Sequence, residues 1–360
     1  MASRSRLSLR DLDAQRIALL KPSALGDIVH GLPILTALRR RFPQAHIAWI
    51  VNRAYEPLLA GHPDLDETIS FDRGAARRAG WWTAAHCWWS FLRQLRHKRF
   101  DLVVDLQGLL RTGVMSQAIR APRRIGLSSA REGATWFYTD VIAVSQPHAM
   151  HAVDRYWLIA EALGVGDEPK HFHVPISETA RAWAVEQLRG CPRPWLAVGV
   201  GSRWLTKRWP AQHFAALTQQ ALDRFGGTAI FVGGGDEAAL AQVARQQLIG
   251  PARDLTGRTS LPQLAAVLQQ ADVMLANDTG PLHLAVALGR PVIAPYTCTK
   301  VVRTGPYHAA GGPVESRIWC QGSYLKRCSR MECMTELTPD RLWPLLREVL
   351  LTWESRRRSA

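Results

Sequence analysis

The sequence is poor in the features that mark disulfide-built, membrane-spanning or secreted chains. Six cysteines in 360 residues are too few for a disulfide framework. No apolar run approaches the roughly 20 residues that cross a bilayer. The N-terminal residues carry basic side chains without the apolar core of a signal peptide. These absences predict a cytoplasmic chain held together by ordinary hydrophobic cores.

Four of the cysteines lie toward the C-terminus, at Cys298, Cys320, Cys328 and Cys333. Their spacing differs from the Cys-x-x-Cys pairs of common zinc sites. The pattern leaves two interpretations open, a metal site or thiols that pack a loop.

Acidic side chains are also scarce. The chain has 30 Asp and Glu against 45 Lys and Arg, a formal net charge of +15, which predicts attraction to an anionic partner. Nucleic acid, acidic lipid head groups and phosphorylated ligands all fit. The basic residues are spread along the chain, without a zinc finger, an RNA-binding strand signature or a helix-turn-helix. A nucleic-acid-binding protein therefore stays an alternative that lacks a recognition module.

Short apolar runs alternate with longer amphipathic ones, which is typical of α/β folds with parallel sheets. The predicted strands are residues 17–20, 46–51, 101–105, 195–200, 229–232, 273–276 and 292–294. The predicted helices in the first half are residues 30–41, 109–119 and 149–163. Thr338, as cap, and Pro339, in the first turn, predict the start of a closing helix.

The length of 360 residues predicts about two domains. Turn-forming residues at 164–175 indicate a linker. We therefore predict one domain at 1–170, a second at 176–337, and a closing helix with a basic tail at 338–360. Open parallel sheets bind ligands at the carboxyl ends of their strands, so two doubly wound units predict a ligand site in a cleft between them.

Residues 21–27, KPSALGD, come directly after the first predicted strand. A strand–loop–helix junction aims backbone N–H groups at an anion, so Lys21 and Ser23 are candidate phosphate or acceptor contacts. Gly26 would let a ligand approach the backbone. Asp27 either acts on a proton or caps the helix, and the spacing leaves both open. The junction lacks G-x-G-x-x-G and the P-loop, which argues against a nicotinamide-dependent oxidoreductase.

Residues 201–207 form a similar junction in the second half of the chain. Here Gly201, Ser202 and Lys207 suit a diphosphate, although a plain solvated basic loop explains them as well. Residues 233–237 place Asp236 and Glu237 after a glycine run. There an acid could hold ribose hydroxyls or simply belong to a turn.

Residues 277–283, NDTGPLH, follow another predicted strand and open a helix. Asp278 or Thr279 could cap that helix while its free N–H groups face a phosphate, and Asp278 could also accept from a sugar hydroxyl. A helix cap would explain Asp278 or Thr279 alone. It would not explain why polar residues follow several predicted strands in one chain.

Taken together and in order, these segments resemble the ADP-heptose–lipopolysaccharide heptosyltransferases of glycosyltransferase family 9, above all their heptosyltransferase I branch. Further matching segments are DLQGL at 105–109, ARE at 130–132, HAVDR at 151–155 and KRWP at 207–210. The resemblance implies a GT-B fold of two Rossmann-like domains, with the acceptor on the first and the donor on the second. It also implies inverting, metal-independent transfer of heptose from ADP-heptose to an inner-core lipopolysaccharide of the Kdo-lipid A type, without a further cofactor. Family members that use other sugars or acceptors keep the same framework, so that alternative stays open.

The resemblance also assigns roles to residues. Asp27 matches the general base, and Arg131 matches a contact of the anionic acceptor. The positions that it associates with the donor are Ser202, Lys207, Asp236 or Glu237, Asp278, Thr279, Gly280 and His283. Those that it associates with the acceptor side are Lys21, Ser23, Gly26, Gln107, Arg131 and, through a looser match, Arg73, Arg77 and Arg78. Two departures stand out: Asp236 and Glu237 compete for the ribose, and Ser202-Arg203 replaces paired threonines.

Residues 81–100 combine four tryptophans with a basic end. Trp82 and Trp89 fall on one helical face, and cations follow from Arg93 onward. Such a helix rests in the interface of the inner membrane, or its tryptophans pack against the sheet. The sequence leaves both interpretations open.

Overall fold

The computed structural model describes residues 8–72 and 80–359, which divide into two compact units. The first unit spans residues 1–175 and the second residues 176–360. Between the last helix of the first unit and the first helix of the second, the described chain forms turns without a helix or strand.

The described part of the first unit forms a parallel sheet of six strands in the order β3-β2-β1-β4-β5-β6. The strands are β1 (Arg16–Leu20), β2 (His46–Asn52), β3 (Glu67–Phe71), β4 (Leu102–Asp105), β5 (Arg123–Leu127) and β6 (Asp140–Ile142). The helices are α1 (Leu25–Arg41), α2 (Trp81–His97), α3 (Leu110–Ile119) and α4 (Ala152–Ala162).

Helices cover both faces of this first sheet. On one face α2 and α3 bury Phe91, Leu95 and Met115 against the sheet. On the other face α1 packs against α4, and Gly31 of α1 lies against the ring of Trp49. A side chain at Gly31 would press on that ring, so this glycine allows the close approach of helix and sheet.

The second unit repeats the plan, with six parallel strands in its described part in the order β12-β11-β10-β7-β8-β9. The strands are β7 (Trp195–Gly199), β8 (Thr228–Phe231), β9 (Ala252–Asp254), β10 (Val273–Ala276), β11 (Val292–Tyr296) and β12 (Gly311–Glu315). The helices are α5 (Glu178–Leu188), α6 (Ala211–Phe225), α7 (Ala238–Arg245), α8 (Leu261–Gln270), α9 (Gly280–Ala287), α10 (Val301–Thr304), α11 (Glu332–Glu336) and α12 (Pro339–Arg358).

The closing helix α12 belongs to the core of the second unit. Leu342, Leu346 and Leu350 are buried in one cluster with Phe214 of α6. Thr338 occupies the N-cap position as predicted, but its side chain makes no capping hydrogen bond. None of the helices within residues 8–72 and 80–359 combines the length and the apolar composition of a membrane span.

Candidate active site

The first candidate site lies where the strand order of the first sheet reverses, between β1 and β4. Leu20 pairs with Asp105 at the last residue of both strands. Ligands of doubly wound sheets bind outside the carboxyl ends of the strands at such a reversal. The loops that follow β1 and β4 are the ones predicted from the KPSALGD and DLQGL segments.

Asp27 lies in the first turn of α1, since this helix begins at Leu25 and not at residue 30 as the sequence predicted. Its Oδ2 accepts a hydrogen bond of 3.1 Å from the N–H of Ala24. Its Oδ1 lies 3.9 Å from Nζ of Lys21. The Asp27 side chain remains 41% exposed. One oxygen therefore caps the helix while the carboxylate stays open to solvent, so the two interpretations of Asp27 are compatible.

Lys21 is almost fully buried behind Asp27. Its Nζ donates to the carbonyl of Leu106 at 3.4 Å and lies 5.1 Å from the ring centre of Tyr156. Burial acts to lower the pKa of Lys21, but Asp27, Tyr156 and Asp105 outweigh it and raise this pKa above its ordinary value. Lys21 is thus a fixed cation that supports Asp27, not a side chain open to a ligand.

Asp105, at the end of β4, organises the neighbouring loop. Its Oδ1 accepts from the N–H groups of Gln107 and Gly108 at 2.8 and 3.0 Å. Its Oδ2 accepts from the hydroxyl of Tyr138 at 2.8 Å. Burial raises the pKa of Asp105 despite these hydrogen bonds. This network fixes the loop. Tyr138 was not predicted to belong to it, because it lies 33 residues away along the chain.

The ARE segment meets the same loop through its backbone. The N–H of Arg131 donates to the carbonyl of Gly108 at 2.8 Å. Gly108 has a φ of +63°, and a side chain there would contact Ala130 at 3.0 Å. The side chain of Arg131 is exposed. Two separate predicted segments therefore form one surface beside the β1–β4 reversal, while Arg73, Arg77 and Arg78 lie outside the described residues.

The second candidate site occupies the equivalent reversal of the second sheet, between β7 and β10. Gly199 pairs with Ala276, and β8 lies on the other side of β7. The loops at 200–207, 233–237 and 277–280 therefore leave the same edge of the sheet. All three were predicted from the sequence as ligand-binding junctions.

Asp278 is the centre of this second site. Its Oδ2 accepts from Nζ of Lys207 at 2.5 Å and from the hydroxyl of Thr299 at 2.7 Å, and its Oδ1 lies 3.3 Å from Nε2 of His283. Burial alone would raise the pKa of Asp278, but His283 and Lys207 hold it below its ordinary range. Asp278 thus anchors Lys207, and it does not cap α9, whose N-cap Thr279 makes no side-chain capping bond either.

Asn277 ties the loops of this site together. Its side-chain amide donates to the carbonyls of Val200 and Gly201, and its Oδ1 accepts from the N–H of Trp209. Ser202, in the same loop, is buried. Asn277 and Thr299 were not predicted as site residues. The position of Asn277 directly before Asp278 was the available signal, whereas the place of Thr299 follows only from the folded sheet.

The two competing acids at 236 and 237 have different surroundings. Asp236 is exposed, whereas Glu237 is partly buried and accepts from the N–H of Gly234 at 3.0 Å. A side chain at Gly201 would lie 1.9 Å from the Glu237 carboxyl group, so a larger residue there would displace this carboxylate. Burial raises the pKa of Glu237. Glu237 is the acid that packs against the β7 loop.

Residues 88–334, which include most of the segments above, match the sequence profile of glycosyltransferase family 9 (heptosyltransferase). The chain belongs to this family. It is therefore a glycosyltransferase, and the resemblance predicted from the sequence is confirmed.

Relatives and solved structures agree with this family assignment. The chain is 29% identical to lipopolysaccharide heptosyltransferase 1 of Pseudomonas aeruginosa, over 95% of this chain and 100% of that protein. The crystal structure of a family 9 glycosyltransferase from Veillonella parvula has a TM-score of 0.83 at 24% identity, covering 97% of this chain and 100% of that one. The structure of Escherichia coli heptosyltransferase WaaC with ADP has a TM-score of 0.69 at 22% identity, covering 93% and 99%. These two structures establish the fold, which is GT-B as predicted.

The four C-terminal cysteines of this family member line one apolar cavity in the second unit. Cys298 and Cys333 are buried, and burial raises the pKa of both thiols, that of Cys333 to about 11. No group of three or more His, Cys, Asp and Glu side chains within residues 8–72 and 80–359 is arranged to hold a metal ion. The same cavity is lined by Ile318, Trp319 and Met331, so the buried cysteines pack among apolar side chains.

Proposed function

We propose that the protein transfers heptose from ADP-heptose to an inner-core lipopolysaccharide acceptor of the Kdo-lipid A type, with inversion and without a metal ion. The family assignment supports sugar transfer, and the similarity to lipopolysaccharide heptosyltransferase 1 of Pseudomonas aeruginosa supports a lipopolysaccharide acceptor. The net charge of +15 suits a phosphorylated acceptor and a nucleotide donor. We place the reaction at the cytoplasmic face of the inner membrane.

The observation that carries this proposal is the half-exposed carboxylate of Asp27 at the β1–β4 reversal. In the proposed step, Asp27 takes the proton of the acceptor hydroxyl as its oxygen attacks the anomeric carbon. A new C–O bond forms on one face of the sugar. The bond to the diphosphate oxygen breaks on the other face, and ADP leaves with its electron pair. General base catalysis of this kind contributes roughly 10²–10⁴-fold.

The charge that develops on the departing diphosphate needs a cation or N–H donors. Lys207 is held at the edge of the second sheet by Asp278, and the first N–H groups of α9 begin at Gly280. Preorganised donors of this kind stabilise charge without reorganising during the reaction. We assign Lys207, Ser202 and the 278–280 loop to the diphosphate, and Glu237 to the ribose.

The acceptor side of the proposal rests on the first unit. Arg131 is exposed beside the loop that holds Gln107, and a guanidinium suits a phosphate or carboxylate. Lys21 acts through Asp27, since its buried ammonium group holds the carboxylate in place. The reaction needs both sheet edges to engage the same pair of substrates, which stays a prediction.

The test is to compare wild type with Asp27→Asn. We expect the variant to lose turnover of ADP-heptose on a Kdo-lipid A acceptor by about 10²–10⁴-fold, because an amide cannot accept the proton. Its thermal stabilisation by ADP should equal that of wild type. Asp167→Asn, an exposed aspartate of the same unit, is the matched control and should keep full turnover. Comparable turnover in Asp27→Asn would remove Asp27 as the base.

The donor and the metal are tested separately. ADP should stabilise the wild type against heating more than UDP, GDP or NAD does, and turnover should persist in excess chelator. Selective stabilisation by UDP or GDP would redirect the assignment to another nucleotide sugar. Loss of turnover in chelator, restored by a divalent cation, would contradict the metal-independent step.

A further inference from the structure

Helix α2 presents an unusual exposed surface in the first unit. Its buried face is formed by Phe91, Leu92 and Leu95, which belong to the hydrophobic core of that unit. Trp88 is partly buried and packs against the same core. These contacts fix the orientation of the helix, so the positions of its remaining side chains are determined by the fold.

The other tryptophans of this helix point away from the core. Trp82 is 71% exposed and Trp89 is 68% exposed. Trp81 is also exposed and stacks on Trp82, with ring centroids 3.5 Å apart. The sequence left open whether these tryptophans pack against the sheet. Trp88 does so, and the other three do not. Leaving large aromatic rings in water forgoes the free energy of burying them, and grouped exposed rings mark an interaction surface.

Two arginines extend the exposed tryptophan surface toward the C-terminal end of the helix. At about 100° per residue, Trp82, Trp89, Arg93 and Arg96 lie within roughly 60° of one another, about 120° away from the buried face. Arg93 and Arg96 are exposed. Residues 81–100 contain no Asp or Glu. We name these four residues the Trp–Arg stripe.

We infer that the Trp–Arg stripe docks the protein on an anionic phospholipid surface, with α2 lying in the plane of the interface. Tryptophan rings settle at the boundary between head groups and acyl chains, where an apolar ring and a polar N–H are both accommodated. Arginines beside them meet the phosphates. The helix, at about 25 Å long, has room for both ends of the stripe to touch one surface.

The chemistry of the stripe favours lipid over other anionic partners. Duplex nucleic acid would be held by the cations alone, through a salt-dependent contact that needs no row of protruding rings. The inference adds a surface to the proposed function, but its test requires no sugar transfer. Either proposal can therefore fail without the other.

The experiment is co-sedimentation with vesicles of phosphatidylcholine, alone or mixed with phosphatidylglycerol. We expect wild type to bind the mixed vesicles, and Trp89→Ser to bind them about tenfold more weakly or worse. Trp319→Ser is the matched control, because Trp319 is 82% exposed in the second unit. It should bind as wild type does. All variants should keep the same stabilisation by ADP, which shows that they are folded.

The cations are tested by Arg93→Gln with Arg96→Gln. This pair should weaken binding to the mixed vesicles by about tenfold or more. The matched control is Arg224→Gln with Arg245→Gln, two exposed arginines of the second unit. Equal binding by wild type and Trp89→Ser overturns the inference, as does equal loss in Trp319→Ser. A dimer that depends on Trp89, or duplex DNA binding that depends on it, also overturns it.

Discussion

The two sheets share one strand order, and each has an ion pair where that order reverses. The more exposed partner of the pair is an anion in the first unit and a cation in the second. In the first unit, the cation Lys21 is 3% exposed and the anion Asp27 is 41% exposed. In the second unit, the anion Asp278 is 5% exposed and the cation Lys207 is 17% exposed. Each pair has a buried partner that supports and a more exposed partner that faces outward.

This difference indicates how one fold can serve two chemical tasks. A carboxylate presented by the first unit suits removal of a proton, whereas an ammonium presented by the second suits a leaving diphosphate. The buried partner keeps the presented group in a single position, so less reorganisation is needed during reaction. The comparison therefore predicts that changes to the presented groups affect rate, and that changes to the buried partners affect stability.

Among changes to the second unit, the largest expected effect concerns Lys207→Ala. Removal of this cation should lower kcat by about 10²–10³-fold, since one preorganised donor to developing charge is worth about 3–4 kcal/mol. The measurement is turnover of ADP-heptose under saturating donor. Arg245→Ala, an exposed cation of the same unit, should leave kcat unchanged. A Lys207→Ala enzyme with near-normal kcat would show that Lys207 does not stabilise the leaving diphosphate.

The next largest effect concerns Asp278→Asn, which removes the buried charge of the second pair. We expect the second unit to lose about 3 kcal/mol of stability, because Lys207 and His283 lose the anion between them. Hydrogen exchange measured by mass spectrometry should show faster exchange in peptides of residues 273–287. Peptides of β1 and β4 in the first unit provide the internal control and should be unchanged.

The same variant has a pH signature. The pKa of Asp278 is lowered in the folded chain, so its contribution to stability is present above its ordinary value of 3.8 and is lost as pH falls below it. The stability difference between wild type and Asp278→Asn should therefore be full at neutral pH and shrink below pH 3.8. A difference independent of pH would show that the charge of Asp278 contributes little.

The central strands were predicted well because each can be recognised from the apolar character of its own residues. Strands β1, β4, β7 and β10 are buried on both faces and read as continuous apolar runs. The sequence missed β5 and the four edge strands β3, β6, β9 and β12. These are partly exposed and carry polar residues, as the two arginines that open β5 illustrate. Their pairing depends on neighbours far along the chain, which local patterns do not report.

The candidate sites show the same division. The loops were predictable because glycine, hydroxyl and charged residues follow apolar strands, but the ion pairs were not. Lys207 and Asp278 are 71 residues apart, and only the adjacency of β7 and β10 brings them together. The sequence treated Asp278 as a helix cap or a sugar contact, while the fold gives its carboxylate three partners inside the unit.

The smallest expected effect distinguishes the two acids that follow β8. Glu237→Gln should raise KM for the nucleotide sugar by about tenfold, equivalent to one hydrogen bond of about 1.4 kcal/mol, with little change in kcat. Asp236→Asn should change neither, because Asp236 is exposed while Glu237 packs against Gly201 of the β7 loop. Both values come from one set of steady-state measurements. If Asp236→Asn gave the larger rise in KM, the ribose contact would belong to the exposed acid.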